Sequence, residues 1–367
     1  MINVNKLLFF LKKKKIKFFT GVPDSILKSF IKILKDKNHI IAANEGSAIS
    51  IGIGNYLSTK KVPLIYMQNS GLGNAINPLI SIAHKKVYSI PLLLMIGWRG
   101  APSELKDEPQ HNLKGKITTR ILKLLNIKYC ILNNDSDFKK LDSLINFSFK
   151  KKTPVAFLIK NNKLLNKNSE NKKKKKPIKG VLRSFVIQQL LKKIKKKSRI
   201  VSTTGFSSRE LFQTRRNNNC KLGKDFYMVG GMGHCSSVSL GYSINSSSET
   251  ICLDGDGSLI MHLGSLISTG YKSKKNFKHM LLNNSSHESV GNQKIDTQKI
   301  DFKNVVKSFG YKNYYFADNN KSFLKYLDFF LKSKGPSFFE VYIRSQSMNN
   351  LSRPQKLKKI KENFIKK

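Results

Sequence analysis

An aspartate in LDGDGSL and an asparagine in LLNNSSHES carry the strongest chemical signal in this chain. Asp256 follows an apolar run and sits in a Gly-Asp-Gly turn, where absent side chains let a ligand approach the backbone. Asn284 lies 28 residues later, after a helix-length segment and a second apolar run. Strand–helix–strand spacing of this kind brings two parallel strand ends to one sheet edge, where open α/β sheets bind ligands. One carboxylate, one amide oxygen and a turn carbonyl form an all-oxygen partial shell. Such a shell suits Mg²⁺, which takes octahedral oxygen ligands and completes them with phosphate oxygens and water. Gly-Asp-Gly alone is a common turn, and Asn-Asn alone often closes a strand. Spacing and strand context select the metal reading.

Three further segments end apolar runs with residues that can act on a ligand. Glu45 stands in AANEGSA, where a lone Glu otherwise reads as a helix-start residue favoured by the macrodipole. TTGFSS (residues 203–208) and YMVGGMGHCSS (residues 227–237) are small-residue loops, the second carrying Met232. Read alone, that second loop is a glycine-rich turn with a core methionine.

These loops need strands to hold them. Apolar runs at residues 39–43, 62–67, 90–96 and 155–159 alternate with helical patterns at 48–57 and 74–83. Near-continuous apolar strands separated by helices predict a parallel sheet covered on both faces. A second such pattern has strands at 199–202, 250–253, 279–282 and 338–342 and a helix at 259–269. Two α/β domains of one architecture are expected, residues 1–160 and 181–350. Residues 161–180, mostly Lys, Asn and Ser, read as a linker, and 351–367 as a basic, fraying tail.

Composition sets outer limits. The chain has 367 residues, 40 % of them hydrophobic, with 68 Lys and Arg against 22 Asp and Glu, a formal net charge of +46. The excess is mostly Lys, spread with many Asn, Ile and Phe, with dense runs only at 12–15, 172–176 and the C-terminus. This reads as a general compositional bias, without nucleic acid as a partner. Its field still favours anionic ligands. Cys130, Cys220, Cys235 and Cys252 have no Cys-x-x-Cys spacing, which argues against a disulfide framework or structural zinc. No signal peptide is read at the N-terminus, and the longest apolar stretch falls short of the ~20 residues a membrane span needs. A soluble, cytoplasmic protein is expected.

The GDG…NN pair with the early Glu resembles the signature of thiamine-diphosphate enzymes. More widely, TGVPDS, NEGSAI, YMQNSGLGNAINPL, SIPLLLMIGWRG, KDEPQH, TTGFSSRELF, GGMGH and LDGDGSLIMHLGSL are similar to phosphonopyruvate decarboxylases over roughly residues 20–291. Sulfopyruvate decarboxylases, often split into one subunit per half, are close relatives. The resemblance implies a pyrimidine-binding first domain and a diphosphate-binding second domain. It implies thiamine diphosphate and Mg²⁺, the latter held by Asp256, Asn284 and the Ser286 carbonyl. Backbone N–H groups of Gly257 and Ser258, with Thr204, Gly205 and Ser207, would face the diphosphate. Glu45 would hydrogen-bond the pyrimidine nitrogen and relay a proton. Met232 would wedge between the cofactor rings, and the Gly230 carbonyl would accept from the aminopyrimidine.

The implied substrate is a 2-oxo acid with a second anionic group, 3-phosphonopyruvate, decarboxylated to phosphonoacetaldehyde on the way to 2-aminoethylphosphonate. Binding it needs cations and directed donors. Arg99, His111 and His287 are the candidates, Gln110 and Asn69 are neutral donors, and Glu288 is either a proton donor or surface charge. The family also implies a homodimer or larger homo-oligomer. Ser285 stands where the family usually has Gly, and GNQKIDT, with Asn292 and Lys294, replaces a second Gly and a Pro. These departures bear on the substrate more than on the cofactor. Two alternatives stay open: sulfopyruvate as substrate, and a polyanion-binding protein on an inactive enzyme fold.

Overall fold

The computed structural model describes residues 1–102, 107–165, 180–217 and 224–366. Most of the expected linker (residues 166–179), Lys106 and Cys220 lie outside the described residues. The chain divides into two units, Met1–Lys172 and Lys173–Lys367.

The first unit is built on β1 (Phe19–Gly21), β2 (His39–Ile41), β3 (Leu64–Gln68), β4 (Leu93–Trp98), β5 (Lys128–Leu132) and β6 (Val155–Lys160). They form one parallel sheet in the order β2-β1-β3-β4-β6-β5. The second unit is built on β7 (Arg199–Ser202), β8 (Asp225–Tyr227), β9 (Thr250–Gly255), β10 (Phe277–Asn283), β11 (Asn313–Ala317) and β12 (Ser337–Tyr342). Its sheet is also parallel, in the order β8-β7-β9-β10-β12-β11. Counted from each unit's first strand, the two orders are the same. The fold is α/β, two copies of one doubly covered parallel sheet.

Burial explains the apolar runs. Every residue of β4 is buried, because Leu93 and Met95 enter one apolar layer and Leu94 and Ile96 the other. In the second unit Ile251 and Leu253 face one layer while Cys252 faces the other. Each large apolar side chain so buried contributes ~1.5–3 kcal/mol.

The helices used below are α1 (Glu45–Thr59), α2 (Leu72–Pro78), α3 (Pro109–Leu124), α4 (Arg183–Lys193), α5 (Phe206–Asn217), α6 (Cys235–Ser243), α7 (Asp256–Leu259), α8 (Ser265–Lys272) and α9 (Leu357–Ile365). Two differ from expectation. The helix expected at 74–83 ends as α2 at Pro78 and continues as a π-helical turn over Leu79–Ala83; proline has no N–H to give to the α-helical ladder. The helix expected at 259–269 is split into α7, a 3₁₀ turn Ile260–His262, and α8.

The tail is a correction too. Far from fraying, it folds as α9, with Ile360 and Phe364 buried. Leu357, Ile360 and Phe364 lie one helical turn or two apart, which makes an apolar stripe on a Lys-rich segment. Phe364 packs against Phe226 and Tyr242, and Arg199 Nε donates to the Phe364 carbonyl at 2.9 Å. Leu164–Leu165, expected in the linker, pairs in parallel with Ile2–Asn3. Among the described residues no helix is long and apolar enough to cross a membrane.

Candidate active site

Four neighbouring strands of the second unit deliver the expected motifs at their carboxyl ends. β7 leads into residues 203–207, β8 into the glycine-rich loop, β9 into Asp256 and β10 into Asn284. Hydrogen bonds tie these loops together. Ser258 Oγ accepts from Thr203 Oγ1 at 2.9 Å and from the Gly233 N–H at 3.0 Å. A side chain at Gly257 would collide with the His287 ring, 2.8 Å from its Cε1 and Nδ1, and would touch Met232 Cε at 3.5 Å. Gly257, Met232 and His287 therefore share one spot, where only glycine leaves room. Gly205 adopts φ +92°, a backbone that favours glycine. Thr204 and Gly230 are half-buried in the same loops, and Ser207 is buried in the first turn of α5.

Asp256 is buried at the start of α7, and Thr297 Oγ1 donates to its Oδ2 at 2.7 Å. Burial lifts its carboxyl to about 6, against the opposing pull of Thr297 and of backbone N–H groups. A buried carboxylate held only by neutral donors fits a cation. Asn284 Oδ1 accepts the Ser286 N–H at 3.1 Å, and its Nδ2 donates to Glu288 Oε2 at 2.9 Å. The amide oxygen keeps a second lone pair for a cation, and the set of oxygens suits Mg²⁺.

Glu288 is neither free surface charge nor a free acid. Its Oε2 pairs with Arg183 Nη2, and Arg183 Nη1 donates to Glu210 Oε1 at 3.1 Å. Arg183 on α4 and Glu210 on α5 are both buried. Removing the arginine would leave two carboxylates uncompensated, a loss of ~3–5 kcal/mol for a buried pair. This network, which braces Asn284 through Glu288, was not legible in advance, because its members are 27 and 105 residues apart.

Ser285 has φ +51°. That explains the glycine usual there and puts the strain of a serine at ~1–2 kcal/mol. Its Oγ accepts the Gln298 N–H at 3.0 Å and lies 3.2 Å from Thr297 Oγ1, bonds a glycine could not make. Asn292, at φ +59°, closes the short hairpin Ser286–His287/Gln293–Lys294 and accepts from Ser286 Oγ at 2.9 Å.

In the first unit, Glu45 opens α1 directly after β2. Asn44 caps that helix, its side chain accepting the Ser47 N–H at 2.8 Å. Glu45 is buried, and Asn74 Nδ2 on α2 donates to its Oε2 at 2.8 Å. Gly71 makes the space: a Cβ there would lie 2.5 Å from Glu45 Cγ and Cδ. Its φ of −77° suits any residue, so Gly71→Ala should act purely by displacing the carboxylate. A fall in turnover of roughly 10²-fold is expected, with an unchanged circular dichroism spectrum. Undiminished turnover would remove Glu45 from the chemistry.

The expected substrate cations are paired or buried. Arg99 is spent on Asp107, Nε donating to Oδ2 at 2.7 Å, and Nη2 lies 3.8 Å from Glu108 Oε1. His111 and His287 are buried, and burial lowers each to about 4, helped for His111 by Arg99. Both are therefore neutral at pH 7, with His111 Nδ1 and His287 Nε2 unpartnered among the described residues. They can donate or accept but supply no charge. Asn69 is a structural clip: Nδ2 donates to the Arg99 carbonyl and to Thr118 Oγ1, both at 2.9 Å. Gln110 Nε2 donates to Glu108 at 2.5 Å.

Asp24, in TGVPDS, is a residue whose sequence signal went unused. It is fully buried beside Gln68, whose Nε2 donates to Oδ1 at 2.8 Å, while Oδ2 is unpartnered among the described residues. Burial raises its carboxyl.

A repeated α/β unit with a buried, cation-seeking acid at the carboxyl edge of its sheet is the build of a diphosphate-cofactor enzyme, and two family models agree. Residues 4–119 match the thiamine pyrophosphate enzyme N-terminal TPP binding domain, and residues 203–341 match the C-terminal TPP binding domain. The fold and site thus define a thiamine-pyrophosphate enzyme. The chain is 30 % identical to a phosphonopyruvate decarboxylase of Streptomyces viridochromogenes, over 91 % of this chain and 87 % of that protein. It is 28 % identical to the phosphonopyruvate decarboxylase of Streptomyces hygroscopicus, over 97 % and 91 %. A sulfopyruvate decarboxylase of Methanosarcina acetivorans is 25 % identical over 94 % and 92 %. The chain belongs to the phosphonopyruvate decarboxylase family, and it is a thiamine-diphosphate-dependent carboxy-lyase.

Proposed function

We propose that the chain converts 3-phosphonopyruvate to phosphonoacetaldehyde and CO₂, as a cytoplasmic, Mg²⁺-dependent homo-oligomer in the biosynthesis of 2-aminoethylphosphonate. What carries this reading is the likeness to phosphonopyruvate decarboxylases along nine-tenths of the chain, together with the buried Asp256 cradle. Thiamine diphosphate, when bound, supplies the carbon nucleophile and the electron sink that loss of CO₂ from a 2-oxo acid requires.

The chain's residues do the rest. Asp256 and Asn284, with the Ser286 carbonyl, hold Mg²⁺. Gly257 and Ser258 present N–H groups at the start of α7, with Thr204, Gly205 and Ser207 beside them. Met232 and Gly230 position the cofactor rings. Glu45 holds and returns a proton at the pyrimidine nitrogen. His287, neutral and set against Gly257, donates or accepts one hydrogen bond without adding charge. In the net reaction the C1–C2 bond breaks, its electron pair stays with C2, and C2 takes up a proton.

Sulfopyruvate places a tetrahedral anion at the same carbon, so one experiment separates the two readings. Aldehyde production is measured with each acid, with and without added cofactor and Mg²⁺. The expected result is cofactor-dependent phosphonoacetaldehyde, with kcat/KM for phosphonopyruvate higher by ~10-fold or more. A reversed preference would make the chain a sulfopyruvate decarboxylase. No aldehyde from either acid, alongside tight, salt-steep binding to DNA, would favour an inactive polyanion-binding fold.

A further inference from the structure

On the face of the second sheet that α6 covers, four side chains the decarboxylation does not use converge. Cys252 and Asp254 are two apart on β9, so they project from the same face. Parallel pairing sets His279 of β10 directly opposite Cys252. Cys235, the first residue of α6, completes the group. All four are buried.

Three of the four lie at the distances of a ligand shell. One ligand atom each from Cys235, Cys252 and Asp254 lies within 4.8 Å of the others. The two sulfurs are 3.6 Å apart, against the ~3.8 Å edge of a tetrahedron with 2.3 Å zinc–sulfur bonds. His279 Nε2 lies 3.7 Å from Asp254 Oδ2 and has no hydrogen-bond partner among the described residues. The other ring nitrogen, Nδ1, is 2.9 Å from Tyr311 Oη. That bond leaves Nε2 facing Asp254. Asp254 Oδ1 accepts the Gly255 N–H at 2.9 Å, leaving Oδ2 for the centre. Without an ion, Asp254 Oδ2 and His279 Nε2 offset the loss of water through each other, 3.7 Å apart, and through the neighbouring thiols.

We propose that Cys235, Cys252 and Asp254 bind a zinc ion, with His279 beside Asp254. Two sulfurs and one oxygen supply three corners of a tetrahedron, and the fourth falls on the side of His279, whose Nε2 lies 3.7 Å from Asp254 Oδ2. Because every ligand is buried, the ion enters as the unit folds, and each bound thiol gives up its proton. The absence of Cys-x-x-Cys spacing argued against zinc, but that rule sees only ligands that are close in sequence. Here a strand pair and a helix bring them together.

The test does not depend on decarboxylation. The full chain is produced in zinc-supplemented medium, purified without chelator, and its metal content measured; about one zinc per chain is expected. Cobalt(II) taken up during refolding should show a thiolate charge-transfer band, lost in Cys252→Ser. Tyr311→Phe, which touches no ligand atom directly, should weaken zinc roughly 10-fold against a competing chelator. Wild-type chain with no zinc and no cobalt–thiolate band overturns the proposal, whether or not the variants fold. So does a zinc-free chain lighter by two hydrogens, with Cys235 and Cys252 joined as a disulfide.

Discussion

A Glu45→Gln chain folds, takes up thiamine diphosphate and turns over substrate roughly 10²–10⁴ times more slowly than wild type, the usual worth of one placed general acid–base group. The substitution keeps size and shape, so the pocket left by Gly71 still receives the side chain. The amide oxygen can still accept from Asn74 Nδ2, a bond of 2.8 Å in the native chain. What is lost is the capacity to hold a proton and return it. The measurement is kcat beside cofactor affinity from calorimetry, with Glu45→Asp as the companion variant. Asp keeps the proton but shortens the reach, so it should fall between wild type and Gln. A Gln variant with full kcat would show that the carboxylate only starts α1.

The fold was legible for a simple reason. A parallel strand covered on both faces must be apolar at every position, and runs such as LLMIGW announce themselves. The cofactor edge was legible because Asp256, Asn284 and the glycines all sit at strand ends, where short-range sequence and position in the fold coincide. Side-chain partnerships were not. Arg99 reads as a free cation until Asp107, eight residues on, closes on it. His111 and His287 read as charges until burial makes them neutral. The helix after residue 356 was hidden by its lysines, since three of its four apolar positions make a stripe only once the helix is assumed. Ser285 looked like a departure; its left-handed backbone and hydroxyl contacts show a serine doing a glycine's job with added fastening.

Arg99 pairs with Asp107 and burial holds both histidines neutral, so none of these three brings an uncompensated positive charge to an anionic ligand. On the proposed function, the compensating charge near the cofactor falls to the Mg²⁺ proposed at Asp256, and this makes Asp256 the second decisive residue. Its carboxyl is raised from 3.8 to about 6 because burial disfavours the charged form. A group whose folded value lies above its unfolded one stabilises the chain fully below the unfolded value and loses that contribution as pH rises through the folded one. At pH 8 the cofactor-free chain therefore carries an ionised buried acid at a cost of ~3 kcal/mol, taking 1.36 kcal/mol per unit. Asp256→Asn should be more stable than wild type by up to that amount at pH 8 without ligands, and equal to it near pH 4. In the presence of Mg²⁺ and thiamine diphosphate the order reverses, because only wild type gains stability from binding. Mg²⁺ must displace the proton, so the wild-type requirement should rise ~tenfold for each pH unit below about 6 and level off above it. Denaturant unfolding of both chains at pH 5 and 8, with and without ligands, checks the sign. Mg²⁺ titration of cofactor binding across that range checks the slope. An Asp256→Asn chain that needs no more Mg²⁺ than wild type would move the metal elsewhere.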